Sequence, residues 1–240
     1  MTPGTLYIVP TPIGNLGDIT VRALEVLRRV PLILCEDTRR TRVLCARFGI
    51  GARLVSCYGP IEHRRVAQVI GHLHEGRDAA LVSDGGTPCI ADPGYLMVRA
   101  CVEAGIRVES LPGPSALVTA LAGSGLPATR VLFLGFLPKK SGRQVRALSE
   151  ARSAGTTVVF YESPQRLGLT LNRALEVFAP HTPCVVAREL TKVHEEYVRG
   201  TLEELAARYR DTAVKGEVVV LLYCPSDTVQ PDGESDERAD

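Results

Sequence analysis

The sequence predicts a two-domain α/β protein with a mostly parallel N-terminal sheet and a mixed C-terminal sheet. Short apolar runs alternate with amphipathic segments through the first half, which is typical of parallel strands joined by helices that cover both faces. A glycine- and proline-containing stretch at 123–127 then breaks this pattern. In the second half the alternation is less regular, which indicates a mixed sheet. We therefore expect domains at 1–122 and 131–224, joined by a linker at 123–130.

Hydrophobic periodicity places the individual elements. In the first half, strands are predicted at Leu6–Val9, Leu32–Cys35, Arg53–Ser56, Ala79–Ser83 and Arg107–Leu111. The helices between and after them are predicted at Thr20–Val30, Thr38–Phe48, Glu62–Glu75, Tyr95–Ala104 and Ser115–Ala122. In the second half, strands are predicted at Val131–Leu134, Thr157–Tyr161, Pro183–Arg188, Glu196–Gly200 and Glu217–Tyr223. Three further helices are predicted near Gly142–Arg152, Gln165–Phe178 and Leu202–Tyr209.

Composition and charge limit the class of protein. The chain has 240 residues, 45% of them hydrophobic, but no apolar run approaches the ~20 residues of a membrane span. The seven cysteines are scattered without a C-x-x-C pair, so we expect reduced thiols in the cytoplasm and no metal site. The net charge of +1 conceals an acidic tail at 225–240, which we expect to be disordered. Without this tail the chain is basic, which is compatible with a polyanionic partner.

Three turns rich in glycine and proline follow predicted strands of the first domain: Pro10–Asn15, Ser83–Gly94 and Leu111–Ala116. Ligands of open α/β sheets bind beyond the carboxyl ends of the strands, so we expect these turns to line one small-molecule site. The alternative is that each is only a tight turn. Neither G-x-G-x-x-G nor the phosphate-binding G-x-x-x-x-G-K-[ST] loop is present, which argues against NAD and P-loop chemistry.

Eight blocks in order make the sequence recognisable: Leu6–Leu16, Glu36–Arg39, Ser83–Gly94, Leu111–Ala116, Gly135–Pro138, Phe160–Pro164, Ala187–Lys192 and Lys215–Glu217. Together they resemble the bacterial 16S ribosomal RNA (cytidine 2′-O)-methyltransferases, a branch of the tetrapyrrole (corrin/porphyrin) methylase family. The resemblance covers roughly residues 5–223. It implies methylation of a cytidine ribose in the decoding region, on 16S ribosomal RNA or an assembled small subunit.

The same resemblance implies S-adenosylmethionine in a cleft between the two domains, no metal, and a homodimer. The implied cofactor contacts are Pro12, Ile13, Gly14, Asp84, Gly85, Gly86, Thr87, Ser115, Ala116, Tyr161, Arg188 and Gly216. The family's substrate makes two basic groups candidates for RNA contact: Arg39 and Arg40, and Lys139, Lys140 and Arg143. Such residues suit phosphates, and their alternative role is an ordinary solvated face.

Methyl transfer to a hydroxyl also needs a group that accepts a proton. Glu36, Glu189 and Lys192 are candidates at predicted strand ends. Charges at strand ends also serve as solvated or capping groups, and the sequence does not choose among the three.

One segment departs from the family pattern. The branch usually carries a His-x-His-Asn-Glu-like sequence after the third strand, where this chain has Ser-Cys-Tyr-Gly-Pro-Ile-Glu-His-Arg-Arg. Glu62 of that pattern is present, whereas the histidine and asparagine are not. A role for this segment in substrate contact is therefore open.

Two other functions remain as alternatives. One is carbon methylation of a tetrapyrrole precursor, which usually goes with a Gly-x-Gly-Pro-Gly loop after the first strand; this chain has Pro10–Asn15 instead. The other is a non-catalytic ribosome assembly factor with a vestigial cofactor site.

Overall fold

The computed structural model describes residues 2–212 and 214–225. The chain forms two compact units, Met1–Ala116 and Leu117–Asp240. This division lies within the helix predicted to end the first domain, and the linker at 123–130 stays a prediction. The predicted disordered tail falls, from residue 226 onward, outside the described residues. None of the described helices is long and apolar enough to cross a membrane.

The first unit contains a five-stranded sheet whose strand pairs are all parallel, which confirms the mostly parallel sheet that the sequence predicts. Its strands are β1 (Leu6–Ile8), β2 (Leu32–Cys35), β3 (Arg53–Ser56), β4 (Ala79–Leu81) and β5 (Val108–Ser110). Its helices are α1 (Val21–Arg29), α2 (Thr38–Phe48), α3 (Gly59–His74) and α4 (Tyr95–Glu103), and α5 (Ala116–Ser124) begins at its last residue. The strand order β3-β2-β4-β1-β5 makes β4 a neighbour of both β1 and β2.

Alternation along the strands builds a separate core on each face of this sheet. Tyr7 and Ile33 pack in a cluster that includes residues of α1 and α2. Leu6 and Leu34 pack in a second cluster with residues of α3 and α4. The helices therefore cover both faces, and the polar groups that follow the strands are left at their carboxyl ends.

Helix α3 begins at Gly59, three residues before the predicted start. Proline is accepted in the first turn of a helix because its missing N–H has no intrahelical partner there. The earlier start places Glu62 inside the helix, where it is 4% exposed and accepts a hydrogen bond from the backbone N–H of Met97 (3.0 Å). The residue before α4, Gly94, supplies no side-chain cap. Glu62 therefore caps α4 from a neighbouring helix.

The second unit contains a mixed sheet, also as predicted. Its strands are β6 (Val131–Phe136), β7 (Thr157–Glu162), β8 (Pro183–Arg188), β9 (Glu196–Thr201) and β10 (Val218–Tyr223). Its helices are α6 (Ser141–Arg152), α7 (Leu167–Ala174) and α8 (Leu202–Tyr209). The strand order is β6-β7-β10-β8-β9, with β6 and β7 parallel and the other pairs antiparallel.

Most predicted boundaries lie within a few residues of the observed ones. Strands β1 and β4 end one and two residues earlier than predicted, and β5 is one residue shorter at each end. The predicted helix at 165–178 is a 3₁₀ turn at Pro164–Arg166 followed by α7.

Removal of the carboxylate that caps α4 should destabilise the protein. Glu62→Ala leaves a buried N–H unpaired, and we expect the free energy of unfolding to fall by about 2–3 kcal/mol in urea titrations. Glu103→Ala is the matched control, because this exposed carboxylate on α4 makes only a surface ion pair with Arg99. Its effect should stay within about 0.5 kcal/mol. Equal losses in the two variants would contradict the capping role.

Candidate functional site

The loops after β1, β4 and β5 meet at the carboxyl ends of their strands. Thr11 and Gly86 exchange two backbone hydrogen bonds, of 2.9 and 2.8 Å. The hydroxyl of Thr87 donates to the carbonyl of Pro114 (3.0 Å) and so connects the second loop to the third. The structure therefore brings the three predicted loops together.

Glycines stand where these loops touch, and at least two of them leave no room or no suitable backbone conformation for a side chain. A Cβ on Gly113 would lie 2.7 Å from the Cβ of Pro10, closer than real contacts allow. Gly86 has φ +90°, which favours glycine, and a Cβ there would lie 3.4 Å from the Cγ2 of Ile13. At Gly85 a Cβ would lie 3.3 Å from the carbonyl oxygen of Pro12. The backbones consequently form a close-packed cradle in which few side chains stand between the main chain and a ligand.

The remaining predicted contacts of this unit lie on the same loops. Gly14 is exposed beyond the turn that Pro12 and Ile13 begin, and Ser115 and Ala116 are half-buried at the start of α5.

Asp84 connects the cradle to the end of β2, because β4 lies between β1 and β2. One carboxylate oxygen accepts a hydrogen bond from the backbone N–H of Asp37 (3.1 Å), and the other lies 3.5 Å from Nε of Arg40. A small open cleft lies beside these groups, and Thr11 and Pro12 also line it.

The predicted cofactor contacts of the second unit lie together at one end of the strands of its sheet. Val218, the first residue of β10, pairs with Glu162 at the end of β7 and with Arg188 at the end of β8. Tyr161 and Gly216 therefore lie at the same end of the sheet as Arg188. The ring of Tyr161 contacts two phenylalanines of β6, Phe133 and Phe136, at centroid distances of 4.9 and 5.4 Å. The guanidinium of Arg188 lies 3.1 Å from a carboxylate oxygen of Glu196.

Comparison with known proteins identifies the family. The sequence model of Tetrapyrrole (Corrin/Porphyrin) Methylases matches residues 5–206. The chain belongs to this family. It is 49% identical to "Ribosomal RNA small subunit methyltransferase I" of Micromonospora olivasterospora, over 91% of this chain and 70% of that protein. It is 46% identical to the protein of the same name in Hydrogenobaculum sp. (strain Y04AAS1), over 90% of this chain and 94% of that one.

A solved structure of the same fold carries a bound cofactor product. It is the uroporphyrin-III C-methyltransferase of Thermus thermophilus, complexed with S-adenyl homocysteine. It matches with a TM-score of 0.62 and 19% identity, over 91% of this chain and 97% of that one. Methyltransferases of the tetrapyrrole methylase family use S-adenosylmethionine.

Two carboxyl groups of this tetrapyrrole methylase are poised to titrate near neutral pH. Burial raises the pKa of Glu36 to about 7, and the charges of Asp92 and Asp84 add to this. Oε1 of Glu36 is inaccessible to solvent and accepts no hydrogen bond from the residues that the structure describes. Burial also raises the pKa of Asp92 to about 6, with a further contribution from Asp84 and an opposing hydrogen bond from Ser83.

Sequence reasoning names the Ser83–Gly94 loop but does not single out Asp92. Its approach to Glu36 depends on the path of that loop, in which Cys89 and Ala91 have φ of 70° and 62°. Non-glycine residues in this region are uncommon and often accompany functional sites. No sequence pattern predicts these backbone conformations.

The other two proton-acceptor candidates neutralise each other. The ammonium of Lys192 lies 2.8 Å from a carboxylate oxygen of Glu189 and 3.0 Å from one of Glu217. Its hydrogen bond lowers the pKa of Glu189. Burial lowers the pKa of Lys192, but the hydrogen bonds to the two glutamates outweigh it and raise that pKa overall. At neutral pH Lys192 is protonated and cannot accept a proton. The lowered pKa of Glu189 makes its carboxylate a weak base, so it is poorly suited to this role.

The predicted RNA contacts differ in whether a carboxylate already pairs with them. Arg39 forms a 2.6 Å ion pair with Asp37, which lowers the pKa of that carboxyl to about 2, and Arg40 faces Asp84. In contrast, Lys139, Lys140 and Arg143 are exposed at and before the start of α6. Within residues 2–212 and 214–225, no carboxylate is recorded within 4 Å of these three.

The raised pKa of Glu36 predicts a pH-dependent stability. Between the ordinary value of 4.5 and about 7, the folded chain holds a proton that the unfolded chain has lost. Stability therefore falls as pH rises through this window. Glu36→Gln removes this effect, so the melting temperature of the variant relative to the native protein should be higher at pH 8 than at pH 4. A difference that stays constant between these pH values would contradict the burial of the charge.

Proposed function

We propose that this chain transfers a methyl group from S-adenosylmethionine to the ribose 2′-hydroxyl of a cytidine in the decoding region of 16S ribosomal RNA. The observation that carries the proposal is the joined set of loops after β1, β4 and β5, beside a half-buried carboxyl group, that of Glu36, whose pKa is raised to about 7. The names of relatives that are nearly half identical to this chain support ribosomal RNA as the acceptor.

The cradle suits a cofactor that is recognised largely through the main chain. We propose that Pro12, Ile13 and Gly14, Asp84 to Thr87, and Ser115 with Ala116 hold S-adenosylmethionine. Glycine contacts allow a ligand to approach the backbone closely. The Asp84 carboxylate can also accept hydrogen bonds from an amine or a ribose hydroxyl. Tyr161, Arg188 and Gly216 stay predicted contacts.

S-adenosylmethionine supplies a methyl group already activated by the positive charge of its sulfur. The new bond joins this carbon to the 2′-oxygen while the carbon–sulfur bond breaks, and the hydroxyl proton must leave. We propose that Glu36 accepts this proton, because a base works best when its pKa lies near the operating pH. The protein's further task is to align the reacting oxygen, which lowers the entropic part of the barrier.

The finer assignments of location and assembly also belong to this proposal. We propose that the protein acts in the cytoplasm as a homodimer, and that Lys139, Lys140 and Arg143 contact RNA phosphates. Arg39 and Arg40 are already engaged by carboxylates, so the same assignment for them requires RNA to compete with Asp37 and Asp84.

Two alternatives are separable from this proposal. Carbon methylation of a tetrapyrrole is consistent with the fold, but the Thermus thermophilus enzyme is only 19% identical. An assembly factor with a vestigial site would show no binding of S-adenosylmethionine in calorimetry. The shape of the cradle favours binding.

The direct test of the acceptor uses small subunits from a strain that lacks the gene. With labelled S-adenosylmethionine, the purified protein should transfer label to 16S RNA, because these subunits lack the modification. Alkaline hydrolysis should release the label in a dinucleotide, since a 2′-O-methyl group blocks cleavage. Subunits from the parent strain are the control and should accept little. A labelled base, or label only on an added tetrapyrrole, would overturn the proposal.

The role of Glu36 predicts a change in rate with little change in cofactor affinity. Glu36→Gln should lower kcat by about 10²- to 10⁴-fold, the usual contribution of a general base. The native kcat should rise with pH and level off above about 7, where Glu36 is ionised. Cofactor affinity in calorimetry should stay within about twofold. A rate loss matched by an equal loss of affinity would contradict the role of Glu36 as a base.

A further inference from the structure

One edge of the first unit carries an excess of positive charge. Between Thr38 and His74 the chain has seven arginines and a single carboxylate, Glu62. This segment forms α2, β3 and α3, and β3 is the outer strand of its sheet. We call this surface the basic edge.

The one carboxylate does not neutralise the basic edge. Glu62 is buried, and its hydrogen bond to the N–H of Met97 points it toward α4. Three of the seven arginines have other partners: Arg39 and Arg40 pair with carboxylates, and Arg65 donates to the carbonyl of Ser56 and to Gln68.

Four exposed arginines remain: Arg42, Arg47, Arg53 and Arg64. In the described part of the chain, no carboxylate is recorded within 4 Å of any of them. Three exposed arginines elsewhere in this unit, Arg77, Arg99 and Arg107, each have an acidic partner. The charge of these four arginines is therefore not offset by a neighbouring carboxylate among the described residues.

One end of the basic edge, the end of β3, lies next to the candidate site. The N–H of Cys57 donates to the carbonyl of Cys35 (2.7 Å), so the end of β3 lies directly beside Glu36. Tyr58 follows the end of β3 in the chain and is 42% exposed. Cations that bind phosphates, with an aromatic ring that can stack on a base, are typical of surfaces that hold unpaired RNA.

We propose that the basic edge binds the RNA substrate, with Arg42, Arg47, Arg53 and Arg64 on phosphates and Tyr58 stacked on an unpaired base. This inference rests on the proposed function for the identity of the polyanion. It gives a role to the segment that departs from the family pattern after β3. Charged residues at a sheet edge can also serve only to prevent aggregation, and the experiment separates these roles.

The test compares two triple variants of the full chain with equal net charge. Arg47→Gln/Arg53→Gln/Arg64→Gln removes one uncompensated arginine from each element of the basic edge. Arg77→Gln/Arg99→Gln/Arg107→Gln removes three ion-paired arginines of the same unit. Binding of a 16S RNA transcript and of small subunits from the gene-deleted strain is measured by titration at several salt concentrations.

The edge variant should bind the transcript about tenfold or more weakly at 0.15 M salt. The slope of log K against log salt should shrink by about 2–3, since each lost phosphate contact removes roughly 0.7–0.9. The control triple should stay within about twofold of the native protein. Both should keep native cofactor affinity in calorimetry, which also shows that they fold.

Equal weakening by the two triple variants would overturn the inference, because net charge alone would then explain binding. Weaker binding to subunits with unchanged binding to the transcript would also overturn it, since the basic edge would then contact ribosomal protein.

The proposed stacking of Tyr58 on a base has its own test. Tyr58→Ala should raise the KM for RNA several-fold, and Tyr58→Phe should not. If the native protein bound RNA through the basic edge but transferred no methyl group to it, the proposed function would be contradicted and this inference would stand.

Discussion

The two hydrogen bonds between Thr11 and Gly86 are the constraint on which the candidate site depends. Parallel strands deliver their loops to one end of a sheet, but the ladder stops at the last paired residue and does not hold the loops beyond it. The Thr11–Gly86 pair continues the contact between β1 and β4 past their ends, and Thr87 extends it to the loop after β5. Asp84 and Gly85 are consequently held in a short turn between two fixed points, with the Asp84 carboxylate directed at the end of β2.

Burial and ion pairing shift the pKa values of two glutamates at strand ends in opposite directions. Glu36 loses water without gaining a cation close enough to offset the charges of Asp92 and Asp84, so its pKa rises. Glu189 has Lys192 within 2.8 Å, and its pKa falls. The Glu189 carboxyl also occupies the space where a Cβ on residue 216 would lie, which explains why glycine with φ +94° stands there. One glutamate is available for proton transfer, whereas the other holds two loops of its unit together.

Much of the fold follows from the sequence because it depends on local pattern. Apolar alternation places β2 and β3 at their observed bounds, and the parallel order of the first sheet follows from helical connections of the right length. Contacts between distant segments do not follow in this way. The bond from Met97 to Glu62 spans 35 residues and depends on how α3 packs on α4. The sequence alone leaves Glu36, Glu189 and Lys192 equal as proton acceptors, because only the folded environment separates their pKa values.

The arginines of α2 show how position decides the role of a charge. A cation in the first turn of a helix opposes the positive end of the helix dipole, yet Arg39 and Arg40 both lie there. They are accommodated because Asp37 caps the helix and pairs with Arg39, while Asp84 faces Arg40. These two arginines therefore help to fix the acidic groups of the site. Arg42 and Arg47 lie further along the helix, where no such compensation exists among the described residues. Their charge is free to act on a polyanion, which shifts the expected RNA contact from the start of α2 toward its exposed length and the neighbouring edge strand.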